Sequence, residues 1–146
     1  MRKFQFRLDT VMNVYQLYQN DAEVVLQERL SADKQAQQKL SEFQQTLQNN
    51  SELIDHKHRE VNSVAELLQH RIFFKRLNHQ VDNQQQLCHK TQKEVDQARE
   101  VLVEASKKTQ TIENLKGKQY RQYYQQVLKE EQTELDEIAQ RRKSLL

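Results

Sequence analysis

The sequence predicts an all-α protein in which two long helices form an antiparallel coiled-coil hairpin, the second helix longer than the first. Three observations support this fold class. Proline is absent and Gly117 is the one glycine in 146 residues, so the usual signals that interrupt helices are missing. Apolar residues recur at alternating spacings of four and three residues, as in coiled coils. Hydrophobic residues make up 36% of the chain and charged residues 30%, which favours a narrow apolar seam over a large globular core.

The first helix is predicted over about residues 8–58, with Asp9 and Thr10 as candidate N-caps. Its seam comprises Leu8, Met12, Tyr15, Gln19, Ala22, Leu26, Arg29, Asp33, Ala36, Leu40, Phe43, Leu47, Asn50 and Ile54. The polar members of this seam weaken packing and often fix register. A second series, from Val11 to Val25, widens the apolar face of the first third. We expect this extra width to be buried by another stretch of the chain or by a partner.

The predicted turn is residues 59–63, with the sequence REVNS. Asn62 or Ser63 can cap the second helix, and Glu66 can return a hydrogen bond to the cap, which makes an S-x-x-E capping box. A tip at this point makes residues 1–146 a single coiled-coil domain.

The second helix is predicted over about residues 64–144. Its seam comprises Val64 or Ala65, Leu68, Ile72, Phe73, Phe74, Leu77, Val81, Gln84, Cys88, Thr91, Val95, Ala98, Leu102, Ala105, Thr109 and Ile112. Past Ile112 the pattern shifts by one residue and resumes at Tyr120, Tyr124, Val127, Glu131 and Ile138. Because Gly117 lies within this shift, we expect a local bend or a changed supercoil there.

The two predicted helices have unequal lengths. At ~1.5 Å per residue the first spans ~75 Å and the second ~120 Å. Folding back at residues 59–63 places Leu8 near Lys116. The last ~25 residues then extend as a single helix with its own apolar stripe and no partner in this chain, unless the helix bends at Gly117.

Net charge, cysteine content and hydropathy exclude several classes of function. The net charge of +2 gives no electrostatic case for nucleic-acid binding. Cys88 is alone, which rules out an intrachain disulfide and suggests a reducing compartment. The basic start is followed by no apolar segment, and no run approaches the ~20 apolar residues of a membrane span. We therefore expect a soluble chain with no direct membrane insertion.

No catalytic, cofactor or metal site is predicted, and we expect that the protein is not an enzyme. His56 and His58 point in different directions on a helix, and the other histidines lack the spacing of zinc ligands. Cys88 lies on the seam, where a small buried hydrophobe is the simplest role. The carboxylates lie beside lysines and arginines on solvated faces, and one glycine cannot form a phosphate loop.

Protein-binding residues are predicted at two places. The cluster of Ile72, Phe73, Phe74 and Leu77 is the densest apolar stretch, and it packs against helix one or forms an exposed docking patch. Tyrosines, which are enriched at interfaces, occur in the C-terminal segment at 120, 123 and 124. The candidate contact residues are Phe73, Phe74, Leu77, Tyr120, Tyr124, Val127, Leu135 and Ile138.

Both ends of the sequence resemble the flagellar export protein FliJ family. The start FQFRLDTVMNVYQLYQNDAEVVLQERL is similar to a family N-terminus with a Phe-x-Phe-x-Leu pattern. The end ENLKGKQYRQYYQQVLKEEQTELDEIAQRR is similar to a family C-terminus, with Leu-Lys, a tyrosine-containing middle, ELDEIA and a basic finish. Gly117 departs from the helix-favouring residue expected in the Leu-Lys stretch.

The resemblance implies a cytoplasmic, non-enzymatic component of the flagellar type III export apparatus, held at the inner face of the membrane through partners. It implies a central stalk and adaptor that binds the hexameric export ATPase, the export gate membrane protein and export chaperones. On this view the segment from Tyr120 to Ile138, with Phe4 to Tyr18 beside it, faces the ATPase. The patch of Phe73, Phe74 and Leu77 is the candidate gate contact.

There are two alternative functions. One, with the same shape, is a coiled-coil chaperone that holds secreted substrates or cycles their escorts between helices. The other is a structural coiled-coil homodimer with no export role, which would appear as a dimer in light scattering, whereas an intramolecular hairpin would be an elongated monomer.

Overall fold

The computed structural model describes residues 3–57 and 63–146, and two helices account for nearly all of them. Helix α1 runs over Asp9–Lys57 and α2 over Val64–Ser144. The described residues include no strand. The predicted fold class, a helical hairpin whose second helix is the longer, is confirmed. The predicted turn residues 59–62 lie outside the described part of the chain.

Backbone hydrogen bonds mark the start of each helix. The carbonyl of Leu8 accepts a bond from the amide of Met12 at 2.9 Å, so Leu8 stands one position earlier than the predicted caps. Asp9 instead begins α1, where its charge suits the helix N-terminus. The carbonyl of Ser63 accepts bonds from the amides of Glu66 at 3.1 Å and Leu67 at 3.4 Å, so Ser63, one of the two predicted caps, occupies the N-cap position of α2. The side-chain bonds of the predicted capping box stay a prediction.

The helix pair divides into two compact units, Met1–Asp21 with Val103–Leu146, and Ala22–Leu102. Each is described separately below. The assignment of residues 1–146 to one domain stays a prediction.

In the first unit the helices run antiparallel. Lys116 donates to Asp9 at 2.9 Å, and further along the unit the Thr109 hydroxyl donates to the carbonyl of Tyr15 at 3.3 Å. The contact between Asp9 and Lys116 places the start of α1 where the helix lengths predicted it. Phe6, just before α1, is buried.

In the second unit the direction is also antiparallel. Arg29 pairs with Glu94 at 2.9 Å, and the Gln84 amide donates to the carbonyl of Ala36 at 2.9 Å. Val95 is the most enclosed side chain, only 1% exposed. The other buried apolar side chains of this unit are Ala22, Ala36, Leu77, Val81 and Ala98.

The predicted seam of α1 is confirmed with one exception. Its positions from Leu8 to Ile54 are buried or half-buried, whereas Arg29 is exposed. The guanidinium of Arg29 reaches Glu94 at the surface, because a long charged side chain keeps its head in water.

The predicted seam of α2 is confirmed from Leu77 to Ile112 but is wrong at the start of the helix. There Leu68, Ile72 and Phe73 are exposed. Phe74, also a predicted member, is half-buried, and so is His70, which the predicted seam omits. Three successive apolar residues, from Ile72 to Phe74, permit several helical phases. Phe74 lies three residues before Leu77 and so continues the 4-3 spacing of the seam. For that reason Phe74 packs against the facing helix and Ile72 does not.

The predicted shift near Gly117 is also wrong. The seam continues through Lys116 and Tyr123 to Val127, which is the one half-buried residue of the predicted series, and α2 passes through Gly117 with no positive φ. Lys116 occupies a seam position, but because it is polar, the spacing of apolar residues in the sequence is interrupted there. Its stem lies in the seam while its ammonium lies 5.8 Å from the centre of the Phe6 ring and 2.9 Å from Asp9.

Candidate protein-binding surfaces

An apolar stripe follows the C-terminal part of α2. We define the C-terminal stripe as Tyr124, Leu128, Leu135 and Ile138, whose exposed fractions lie between 47% and 66%. The spacing keeps these side chains on one face of the helix. From Leu128 onward every residue of α2 is exposed. A regular apolar face of this kind, uncovered within the unit, is typical of a surface that binds another protein.

The residues before α1 shorten the predicted single-helix segment. The Phe4 ring packs edge-on to Tyr120 at 5.3 Å between ring centres and lies 5.5 Å from the Tyr123 ring. Residues 3–5 and Val127 line one groove with α2. The expectation that the chain offers Tyr120 no partner is therefore wrong, because the aromatic start of the sequence reaches past Gly117.

A second exposed stripe lies on α1 in the same unit. We define the α1 stripe as Val11, Val14 and Tyr18, which are all exposed. The wider apolar face predicted for the start of helix one is present, and the unit leaves it open to solvent. Val25, the last member of the predicted series, is exposed in the second unit.

The apolar cluster at the start of α2 divides between packing and exposure. Leu77 is 5% exposed and belongs to the core of the second unit. Phe74 is half-buried, and it lines a groove together with Ser51, Ile54, Asp55, Leu67, His70 and Arg71. Ile72 and Phe73 remain about half exposed. Phe74 and Leu77 therefore pack within the second unit, whereas Ile72 and Phe73 form an outer side of the cluster that is open to another protein.

A polar layer interrupts the seam of the second unit. The Thr91 hydroxyl donates to Oδ1 of Asp33 at 2.8 Å, and the Gln37 amide donates to Oδ2 at 3.0 Å. Asp33 and Thr91 are both buried. Among the described residues, no buried side-chain nitrogen or oxygen lacks a hydrogen-bond partner. The layer is thus fully satisfied, which suits a role in fixing register.

Cys88 lies beside this layer and is half-buried. Burial raises the pKa of its thiol, and the negative charge of Asp33 raises that pKa further. A raised pKa keeps the thiol protonated, which is the opposite of what a nucleophilic cysteine needs.

The described residues contain no group of three or more His, Cys, Asp or Glu side chains that could hold a metal ion. None of the described helix segments combines the length and the apolar character that a bilayer crossing requires.

Comparison with known proteins identifies the family. The family model described as "Flagellar FliJ protein" matches residues 4–144, which is almost the whole chain. The chain belongs to the FliJ family. As a FliJ family member it is a component of flagellar type III protein export, and the resemblance of the two sequence ends is confirmed.

A solved structure shares the fold of this FliJ family member. A protein described as a homolog of YscO, CT670 from Chlamydia trachomatis, superposes with a TM-score of 0.50 at 16% sequence identity. The match covers 94% of each chain. At this identity the likeness shows the fold alone. The search of the curated proteins finds no match.

The candidate contact residues of this FliJ family member occupy different environments. Tyr120, Tyr124, Leu135, Ile138 and Phe73 are exposed, Val127 and Phe74 are half-buried, and Leu77 is buried. Leu128 is absent from the predicted contact residues, although its spacing from Tyr124 and Leu135 continues the same stripe. Val14 is absent as well, because the predicted second series runs through Tyr15, which lies in the seam.

Proposed function

We propose that this protein is a non-enzymatic stalk and adaptor of the export ATPase, acting in the cytoplasm and held near the membrane through its partners. Family membership supports a role in export and argues against a homodimer without one. The observation that carries the finer assignment is the C-terminal stripe, an exposed apolar face at the end of the longer helix.

The ATPase-facing surface combines the C-terminal stripe with the α1 stripe. Both lie in the first unit, and both present branched or aromatic side chains at helical spacing. The family resemblance implies that the helix termini sit in the ring of the export ATPase, where two apolar helix faces can pack against the inner walls of that ring.

The outer side of the cluster at the start of α2 is proposed to contact the export gate. Ile72 and Phe73 are the exposed members of this cluster and lie in the other unit from the two stripes. One chain can therefore offer separate surfaces to the ATPase and the gate. Export chaperones are proposed as further partners, with no surface assigned to them.

Stimulation of the cognate export ATPase tests the proposal. The purified protein is expected to raise the hydrolysis rate and to favour the hexamer. Leu135→Asp places a charge on the C-terminal stripe and is expected to abolish most of the stimulation. Val101→Asp is the matched control, because Val101 is also more than half exposed on α2 but lies in the other unit.

Either of two results would contradict the proposal. If the native protein changes neither the rate nor the oligomeric state of the ATPase, the stalk assignment is wrong. If Val101→Asp and Leu135→Asp reduce stimulation equally, the effect does not come from the stripe.

A further inference from the structure

Beyond Tyr124, the C-terminal stripe belongs to a heptad pattern that includes two charged residues. The positions at spacings of three and four residues are Leu128, Glu131, Leu135, Ile138, Arg142 and Leu145. All six are exposed. Read from either end, the order is leucine, charge, aliphatic, aliphatic, charge, leucine, with an acid in one half and a base in the other. The pattern is therefore complementary to its own reverse.

We propose that this segment binds a second copy of the same chain as an antiparallel two-stranded coiled coil. The two-fold axis lies between Leu135 and Ile138. Leu135 therefore faces Ile138 of the second copy, and Ile138 faces Leu135 of the second copy. The next layer outward places Glu131 against Arg142 of the second copy. The outermost layer places Leu128 against Leu145 of the second copy, which requires α2 to continue one residue beyond Ser144 in the dimer.

The seam charges select the antiparallel orientation. In a parallel pair each position meets its own copy, so Glu131 would face Glu131 and Arg142 would face Arg142. Like charges at facing core positions are unfavourable. In the antiparallel pair Glu131 faces Arg142 of the second copy. Because the pair has two-fold symmetry, this contact between an acid and a base occurs twice.

Residues that flank the seam repeat the same complementarity. Glu134 precedes Leu135, and Arg141 precedes Arg142. On antiparallel helices these flanking positions lie side by side, so Glu134 approaches Arg141 of the second copy. Flanking charges of opposite sign specify partner and orientation in coiled coils. This self-complementarity is why a second copy is the occupant that fits the segment.

The segment is short, so the association is expected to depend on protein concentration. Eighteen residues extend ~27 Å, and isolated helical pairs of this length are marginal. If the proposed ATPase contact holds, the dimer covers the same stripe. Dimer formation and ATPase binding would then exclude each other, a consequence that rests on the proposed function.

Sedimentation velocity of the full chain across a range of concentrations tests the proposal. The native protein is expected to shift from monomer to dimer as concentration rises. Glu131→Arg and Arg142→Glu each create facing like charges, and each is expected to weaken the dimer by about tenfold or more. The double variant restores opposite charges and is expected to return the dissociation constant close to the native value.

Glu137→Arg is the matched control, because Glu137 lies one residue before Ile138 and off the seam. It changes the net charge as much as Glu131→Arg does and is expected to leave the dimer largely intact. A native chain that stays monomeric at all concentrations overturns the proposal. So do single charge reversals that act no more strongly than the control, or a double variant as weak as the singles.

Disulfide trapping tests the orientation in a Cys88→Ala background. A mixture of Leu135→Cys and Ile138→Cys chains is expected to cross-link between the two variants faster than either variant cross-links with itself. Faster self-linking of Leu135→Cys indicates a parallel pair and overturns the proposal. Both tests use the chain alone, so ATPase stimulation without a dimer refutes this inference only, and a dimer without stimulation refutes the proposed function only.

Discussion

Thr91 donates its hydroxyl hydrogen to Asp33 at 2.8 Å, from a seam position of α2 to a seam position of α1. Both residues are buried, and the other carboxylate oxygen of Asp33 accepts a bond from Gln37. A shift of one helix along the other would separate this donor and acceptor. The pair therefore gives the second unit a preferred register that its aliphatic layers alone would not specify.

Thr91→Val is expected to destabilise the protein by about 1–3 kcal/mol, because it leaves a buried carboxylate oxygen without its donor. Urea unfolding followed by circular dichroism measures the change. Thr111→Val is the matched control, since Thr111 is exposed on the same helix and donates only within it, to the carbonyl of Lys107 at 2.8 Å. Equal losses in the two variants would show that the valine in the helix, and not the cross-helix bond, causes the effect.

Leu77→Ala is expected to cost about 2–5 kcal/mol, because it opens a cavity in the core of the second unit. The same substitution at the exposed Leu68 is expected to stay within about 0.5 kcal/mol. Thermal and urea unfolding compare the two variants. A small loss at Leu77 would contradict its placement in the seam.

Gly117→Ala is expected to stabilise the protein by roughly 0.5–1 kcal/mol. The glycine is helical, has no positive φ, and a Cβ there would meet nothing within 4 Å. Alanine would therefore add helix propensity without a clash. A destabilised variant would indicate that the helix needs a bend at this point after all.

Phe4→Ala is expected to loosen the segment before α1, because the ring is packed between Tyr120 and Tyr123. Aromatic pairs contribute about 0.5–1.5 kcal/mol beyond their buried area. Amide hydrogen exchange is expected to speed up for the first turn of α1 and to remain unchanged around Val95. A uniform increase would instead indicate global destabilisation.

Cys88 is expected to react slowly with a thiol reagent at neutral pH, and its rate should rise only at alkaline pH. Burial and the charge of Asp33 both raise its pKa, so less thiolate is present at a given pH than in a free cysteine. Asp33→Asn removes the second cause and is expected to move the rate profile toward lower pH. The unfolded chain in urea supplies the reference rate, and a folded chain that reacts equally fast would contradict the prediction.

The sequence by itself determined the fold class and most of the seam. The absence of proline, the 4-3 spacing and the cap at Ser63 specify two helices, and their unequal lengths already placed the start of α1 near Lys116. These features are local or arithmetic, so they can be read from residue order. The heptad pattern from Leu128 to Leu145 is equally visible there.

The tertiary structure decided which residues pack where the spacing of apolar residues is ambiguous or interrupted. It selected Phe74 over Ile72 for the seam, kept Lys116 in phase, and placed Phe4 on Tyr120. These outcomes depend on what the facing segment offers. It offers a carboxylate to the ammonium group of Lys116, a groove to one of three successive apolar side chains, and an aromatic partner to Phe4. Lys116 and Phe4 contact residues about a hundred positions away along the chain, and such contacts leave no trace in local periodicity, so only the packed helices could reveal them.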